Sequence, residues 1–145
     1  MLSLEEIATI RSFNRKYTTV LGLLNRQVFD TTLSFTEARV LQKIAETPNI
    51  SPKNIATNLG LDPSYTSRIL KKLNKLDLVN IVASSVDARS KILSLTADGE
   101  NQVKILDEDS NIQIEDLIAD LSPAEQTELY QSFSTIEKIL FNKEH

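Results

Sequence analysis

Residues 62–76, "DPSYTSRILKKLNKL", carry the side chains with the most obvious capacity for recognition. On a helical wheel Ser64, Arg68, Lys71 and Lys75 fall on one side, flanked by Tyr65 and Ser67. Thr66, Ile69, Leu70, Leu73 and Leu76 fall on the other. Such a rod buries one flank and offers hydroxyls and cations on the opposite one. The chemistry is recognition of an anionic, hydrogen-bonding polymer. Arg bonds guanine at two acceptors at once, Ser reaches a phosphate or a base edge, and Lys neutralises phosphate charge. A surface helix can also carry lysines that are merely solvated. Three features of the setting weigh against that reading: a short capped helix precedes the rod, a β-hairpin follows it, and the basic excess of the chain is concentrated around it.

The elements that must position this face are legible on both sides. Residues about 4–30 hold Ile7, Ile10, Tyr17, Val20, Leu21, Leu24 and Val28 at helical spacing. A second helix opens at "SFTEARVL", capped by Thr36, or by Ser34 with Glu37 three residues on, with Val40, Leu41 and Ile44 as its apolar face. Ser51 followed by Pro52 starts a third, with Ile55, Ala56 and Leu59 turned inward and Gly60 at its end. Asp62 followed by Pro63 starts the basic helix. Two short helices joined by a glycine turn form a helix-turn-helix. Beyond it, "LVNIVA" and "KILSL" are β-branched and aliphatic runs around the polar "SSVDARS", which predicts a hairpin at about 78–95. Thr96 caps a helix reaching about residue 120, and Ser122, Pro123 and Glu125 open a last one with Leu129, Phe133, Ile136 and Leu140 on one face. Asp87, Arg89 and Lys91 sit at or near the hairpin tip, where an arginine suits the narrow minor groove and Asp87 is placed to hold its guanidinium. An exposed Asp–Arg pair of no consequence is the plainer alternative.

Composition narrows the function classes. The chain of 145 residues has no cysteine, and its one histidine, His145, is the last residue. Thiolate or histidine metal sites and a Ser–His–Asp triad are therefore not expected. The three glycines form no phosphate-binding loop. "DEDSN" at 107–111 begins like a calcium loop, but Ile112 stands where glycine is required and Ile118 where glutamate is required. The expectation is a protein that is not an enzyme, with no catalytic residues, no metal and no cofactor. No apolar run approaches the ~18 residues needed to span a bilayer, and the cytoplasm is the expected location. The net charge is −4, yet residues 36–99 hold nine Lys/Arg against six Asp/Glu, while residues 100–145 hold three against eleven. The acidic helices should point away from any bound duplex.

The pieces "SFTEARVL", "SPKNIATNLGLDPSYTSRILKKL", "LDLV" and "DARSKILSLTADG" resemble the MarR family of winged helix-turn-helix regulators, in an order that covers residues about 5–141. The resemblance implies a mainly α fold with a small β-hairpin wing, read as a single domain over 1–145. Its winged helix-turn-helix spans about 34–96, and its dimerisation helices about 1–33 and 97–145. It implies a homodimer on a pseudo-palindromic operator in double-stranded DNA, acting as a repressor. Ser64, Tyr65, Ser67 and Arg68 take the recognition-helix role, and Arg89 takes the wing role with Asp87 as its orienter. It also implies a crevice for a small aromatic or phenolic effector, for which Arg11, Arg15 and Tyr17 are the candidates. Two departures stand out. Asp77 occupies a position where the family often has glycine, and "VNIVASSV" lacks the basic residues usual before the wing. The first half also resembles the regulator part of proteins in which a MarR-like domain is fused to a GNAT acetyltransferase. A regulator half of such a protein, or a winged helix used for protein contact, are the alternative readings.

Overall fold

The computed structural model describes residues 1–22, 28–29, 31–87 and 89–142. The elements run α1 (Leu4–Leu21), α2 (Phe35–Glu46), α3 (Pro52–Leu59), α4 (Pro63–Lys75), β1 (Val79–Ala83), β2 (Lys91–Leu95), α5 (Ala97–Ile118) and α6 (Pro123–Leu140). This is the mainly α architecture with a two-stranded wing that the sequence predicts. The chain divides into two compact units, Met1–Leu106 and Asp107–His145, with the division inside α5.

In the first unit, local capping sets the helix starts. Ser34 and Glu37 form a reciprocal capping box at α2, which selects Ser34 over Thr36 as the cap. Ser51 and Asp62 cap α3 and α4 ahead of their prolines. The α1 helix ends earlier than the apolar spacing predicts. Gly22 adopts a left-handed conformation, φ 71°, and closes the helix at Leu21. Val28 is buried but lies beyond the helix, and Leu24 falls outside the described residues. Gly60, at φ 64°, makes the turn between α3 and α4.

The core gathers Val40, Leu41 and Ile44 of α2, Ile55 of α3, Ile69, Leu70 and Leu73 of α4, and Val79 and Leu93 of the hairpin, with Leu106 of α5. β1 and β2 pair antiparallel with Val79 opposite Leu95, Ile81 opposite Leu93 and Ala83 opposite Lys91. Leu93 N–H donates to the Ile50 carbonyl, 2.9 Å, so the loop before α3 is stitched to the wing. A second stitch lies at the base of the wing. Asp77 adopts φ 60°, the left-handed conformation that glycine usually supplies and that aspartate tolerates better than most. Its carbonyl accepts from the Thr96 hydroxyl, 2.6 Å, which in turn accepts from Gly99 N–H, 2.9 Å. Gly99 is buried, and a Cβ there would collide with the Leu78 carbonyl. The "LTADG" stretch thus joins the end of the recognition segment to the start of α5 through backbone contacts that tolerate no side chain at Gly99.

In the second unit, Ser122 and Glu125 form a capping box at α6, and the Gln126 amide donates to the Ile118 and Leu121 carbonyls, each 3.2 Å. No residue of α6 is buried; Tyr130, Ile136, Ile139 and Leu140 are exposed. The α1 helix likewise buries nothing, with Leu4, Ile7, Ile10 and Phe13 exposed.

Candidate nucleic-acid interface

The α4 helix is two-faced. Thr66, Ile69, Leu70 and Leu73 are buried, Leu73 completely. Leu76 departs from the wheel. It is the residue at which the helix ends and it stays 44% exposed, because the chain turns at Asp77 before that side chain can reach the core. Ser64, Tyr65, Ser67, Arg68, Lys71 and Lys75 are all exposed on the remaining arc.

The first turn of that arc is held firmly. The Asp62 carboxylate accepts from Tyr65 N–H, 3.0 Å, and its carbonyl accepts from the buried Thr66 hydroxyl, 2.9 Å. The Arg68 guanidinium lies over the Tyr65 ring, 5.7 Å from its centroid. Among the described residues the ion pairs are Lys43–Glu46 and Lys72–Glu37, so no carboxylate there neutralises Arg68. Lys72 is turned the other way from its neighbours. Its ammonium sits 2.8 Å from Glu37 and ties α4 to α2. Burial pushes the Glu37 carboxyl up, but the Lys72 hydrogen bond, the Ser34 backbone and the Lys72 charge outweigh it and hold the group below the usual carboxylate range.

The wing is shaped by side chains that bond back to the backbone. Ser84 Oγ accepts from Val86 N–H, 3.2 Å, and Ser84 N–H donates to the Ser90 carbonyl, 2.9 Å. Asp87 differs from its expected part: its carboxylate accepts from the backbone N–H of Arg89, 3.0 Å, and makes no ion pair with the guanidinium. A two-residue reach along the chain brings the carboxylate to that backbone N–H. Asp87, Arg89 and Lys91 are exposed, as is Val86 at 94%.

A cleft of about 630 Å³ opens between α3, α4 and the hairpin. Lys53, Lys71, Lys91 and Ser67 line it together with apolar side chains of all three elements. Lys53 joins the cleft from α3, outside the basic run of α4 and the wing. Its position two residues after the Ser51 cap is a signal that could have found it. Of the effector candidates, Arg11 and Arg15 are exposed on α1, and Tyr17 is half-buried with its ring stacked on Phe13, 5.1 Å between centroids. No helix among the described residues is long and apolar enough to cross a membrane.

Comparison with known proteins gives this geometry a context. Residues 33–91 match the MarR family profile. A curated protein of Bacillus subtilis strain 168, the uncharacterized HTH-type transcriptional regulator YfiV, is 26% identical over 110 residues, covering 76% of this chain and 69% of that protein. A MarR-family transcriptional regulator from Rhodococcus sp. RHA1 superposes with a TM-score of 0.76 at 20% identity, over 99% of each chain. Streptococcus pneumoniae FabT, whose structure is a complex with DNA, superposes with a TM-score of 0.73 at 17% identity, over 97% of this chain and 99% of that one. At these identities the superpositions establish the fold.

Proposed function

We infer that this chain, whose winged-helix segment belongs to the MarR family, is a sequence-specific DNA-binding transcriptional regulator. The observation that carries the reading is the division of α4 into a fully buried flank and an exposed, capped, cationic one. A helix so anchored can enter a major groove without loosening its own core. Ser64, Ser67 and Arg68 then face base edges, with the Tyr65 ring beside Arg68, and Lys71 and Lys75 face phosphates. Arg89 reaches the adjacent minor groove from a loop that Asp87 shapes through the backbone, and Lys91 adds charge beside it.

The protein acts as a homodimer on a pseudo-palindromic operator and as a repressor. The exposed aliphatic and aromatic side chains of α1 and α6 support the dimer, since two helices that bury no residue need a second chain to cover them. Recognition helices of such a dimer meet successive major grooves about 34 Å apart. The chain carries no chemistry of its own and works in the cytoplasm. A small aromatic or phenolic anion relieves repression, with Arg11, Arg15 and Tyr17 as its contacts.

A duplex selected by the protein from a randomised pool provides the test. Binding should weaken steeply with salt as phosphate contacts are lost. Arg68→Ala should cost about 1–3 kcal/mol on that duplex and relax base preference at one position. Unchanged binding by both Arg68→Ala and Arg89→Ala would remove the assignment.

A further inference from the structure

We propose that Tyr65 is a positioning residue for Arg68, so that the base preference of Arg68 depends on the Tyr65 ring. The inference rests on the DNA-binding reading above and adds to it the source of the arginine's aim. Arginine on an exposed helix face samples many rotamers, and binding must freeze one of them. Here three linked observations restrict it beforehand. The backbone of Tyr65 is pinned to the Asp62 cap at 3.0 Å, and the following residue, Thr66, is buried and bonded to the same cap. The ring therefore leaves a fixed point on the helix. The guanidinium three residues on lies over that ring at 5.7 Å, within the range of a cation–π attraction. Among the described residues no carboxylate draws the guanidinium elsewhere.

A cation held by a ring differs from one held by a carboxylate. The ring takes none of the five N–H donors in hydrogen bonds to oxygen, so the fork that bonds guanine bidentately remains available. Tyr65 thus lowers the ordering cost of Arg68 without competing for its donors. The substituent that matters is the aromatic face, and the phenolic hydroxyl is dispensable.

The test uses the full chain and a duplex selected from a randomised pool. Affinities of Tyr65→Leu, Tyr65→Phe, Arg68→Ala and the Tyr65→Leu/Arg68→Ala double variant are measured on that duplex and on versions changed one base pair at a time. Circular dichroism checks each fold, and Tyr65→Gln replaces Tyr65→Leu if the latter does not fold. Tyr65→Leu should weaken the selected duplex roughly three- to ten-fold. It should flatten preference at the same base pair that Arg68→Ala flattens. Tyr65→Phe should restore most of both losses, and Tyr65→Leu should add little once Arg68 is already Ala. Equal losses with and without Arg68 would mean that Tyr65 touches DNA on its own account and would overturn the proposal. So would a Tyr65→Phe variant as damaged as Tyr65→Leu. A pool that yields no preferred duplex sinks the DNA-binding reading itself, and the proposal falls with it.

Discussion

The α4 and α6 helices begin alike and end in opposite states. Each starts with a side-chain cap followed by proline, Asp62–Pro63 and Ser122–Pro123, and each has an apolar face. The α4 helix of 13 residues buries four of them, whereas α6, with 18, buries none. Capping and periodicity decide that a helix forms and which side is apolar. What covers the apolar side is a separate matter. In α4 it is the chain's own hairpin and neighbouring helices. In α6 the apolar face is less sharply separated from the polar one, and no residue of it is buried. The contrast separates a helix held by burial from one whose apolar side chains stay exposed.

The largest expected effect tests that separation directly. Leu73→Ala should lower the unfolding free energy by about 2–5 kcal/mol in urea denaturation, since it empties a fully enclosed site. Ile139→Ala, at a residue 62% exposed, should change it by less than about 0.5 kcal/mol where the chain is monomeric. The Ile139 effect should appear instead in sedimentation, as easier subunit dissociation. A loss at Ile139 equal to that at Leu73 would erase the distinction between the helices.

Next comes the joint between the wing and α5. Gly99→Ala drives a methyl group into the Leu78 carbonyl, and the backbone on either side is held by Thr96. A thermal melt should register a loss of about 1–3 kcal/mol. No change in melting would mean that the joint yields easily.

A smaller effect belongs to Glu37, which links the α2 cap to Lys72 of α4. Its carboxyl lies below its ordinary value in the folded chain. The stabilisation is therefore complete above the unfolded value near ~4.3 and is lost as pH falls through the lower folded value. Glu37→Gln keeps a capping side chain but removes the charge. It should cost about 1 kcal/mol at neutral pH, a figure discounted for the half-exposed ammonium. Denaturation at successively lower pH should bring the variant and parent together. A gap that stays constant through acidification would show that charge plays no part.

The smallest effect is expected at Asp77. Asp77→Gly frees a left-handed residue from its Cβ cost while keeping the backbone carbonyl that Thr96 grips. The gain should be about 0.5 kcal/mol or less. A clear loss would assign the Asp77 side chain a role beyond its turn.

Much of the fold was legible because it is local. The Ser51, Asp62 and Ser122 caps, the choice of buried residues in α4 and the placing of a hairpin after it follow from bonds and periodicities spanning four residues or fewer. The left-handed turn at Asp77 was pointed to by the resemblance to a family that often has glycine there, and not by local pattern. The end of α1 is not legible from spacing, because apolar spacing persists past Gly22 and a glycine's left-handed turn overrides it. Leu76 departs from the wheel because the wheel carries no information on where a helix stops.

The sequence by itself determined that a cationic, hydroxyl-bearing helix would stand between a capped helix and a hairpin, since hydrogen bonds within one turn and alternation along a strand need nothing from afar. Only the tertiary structure decided what each cation does. Lys72 is bound to Glu37 thirty-five residues away, while Lys71 converges with Lys53 and Lys91 on one cleft. Asp87 grips the backbone of Arg89 and leaves its guanidinium unpaired with it. The charges of neighbouring lysines are identical along the chain. Their partners are set by the packing of elements that the chain itself places far apart.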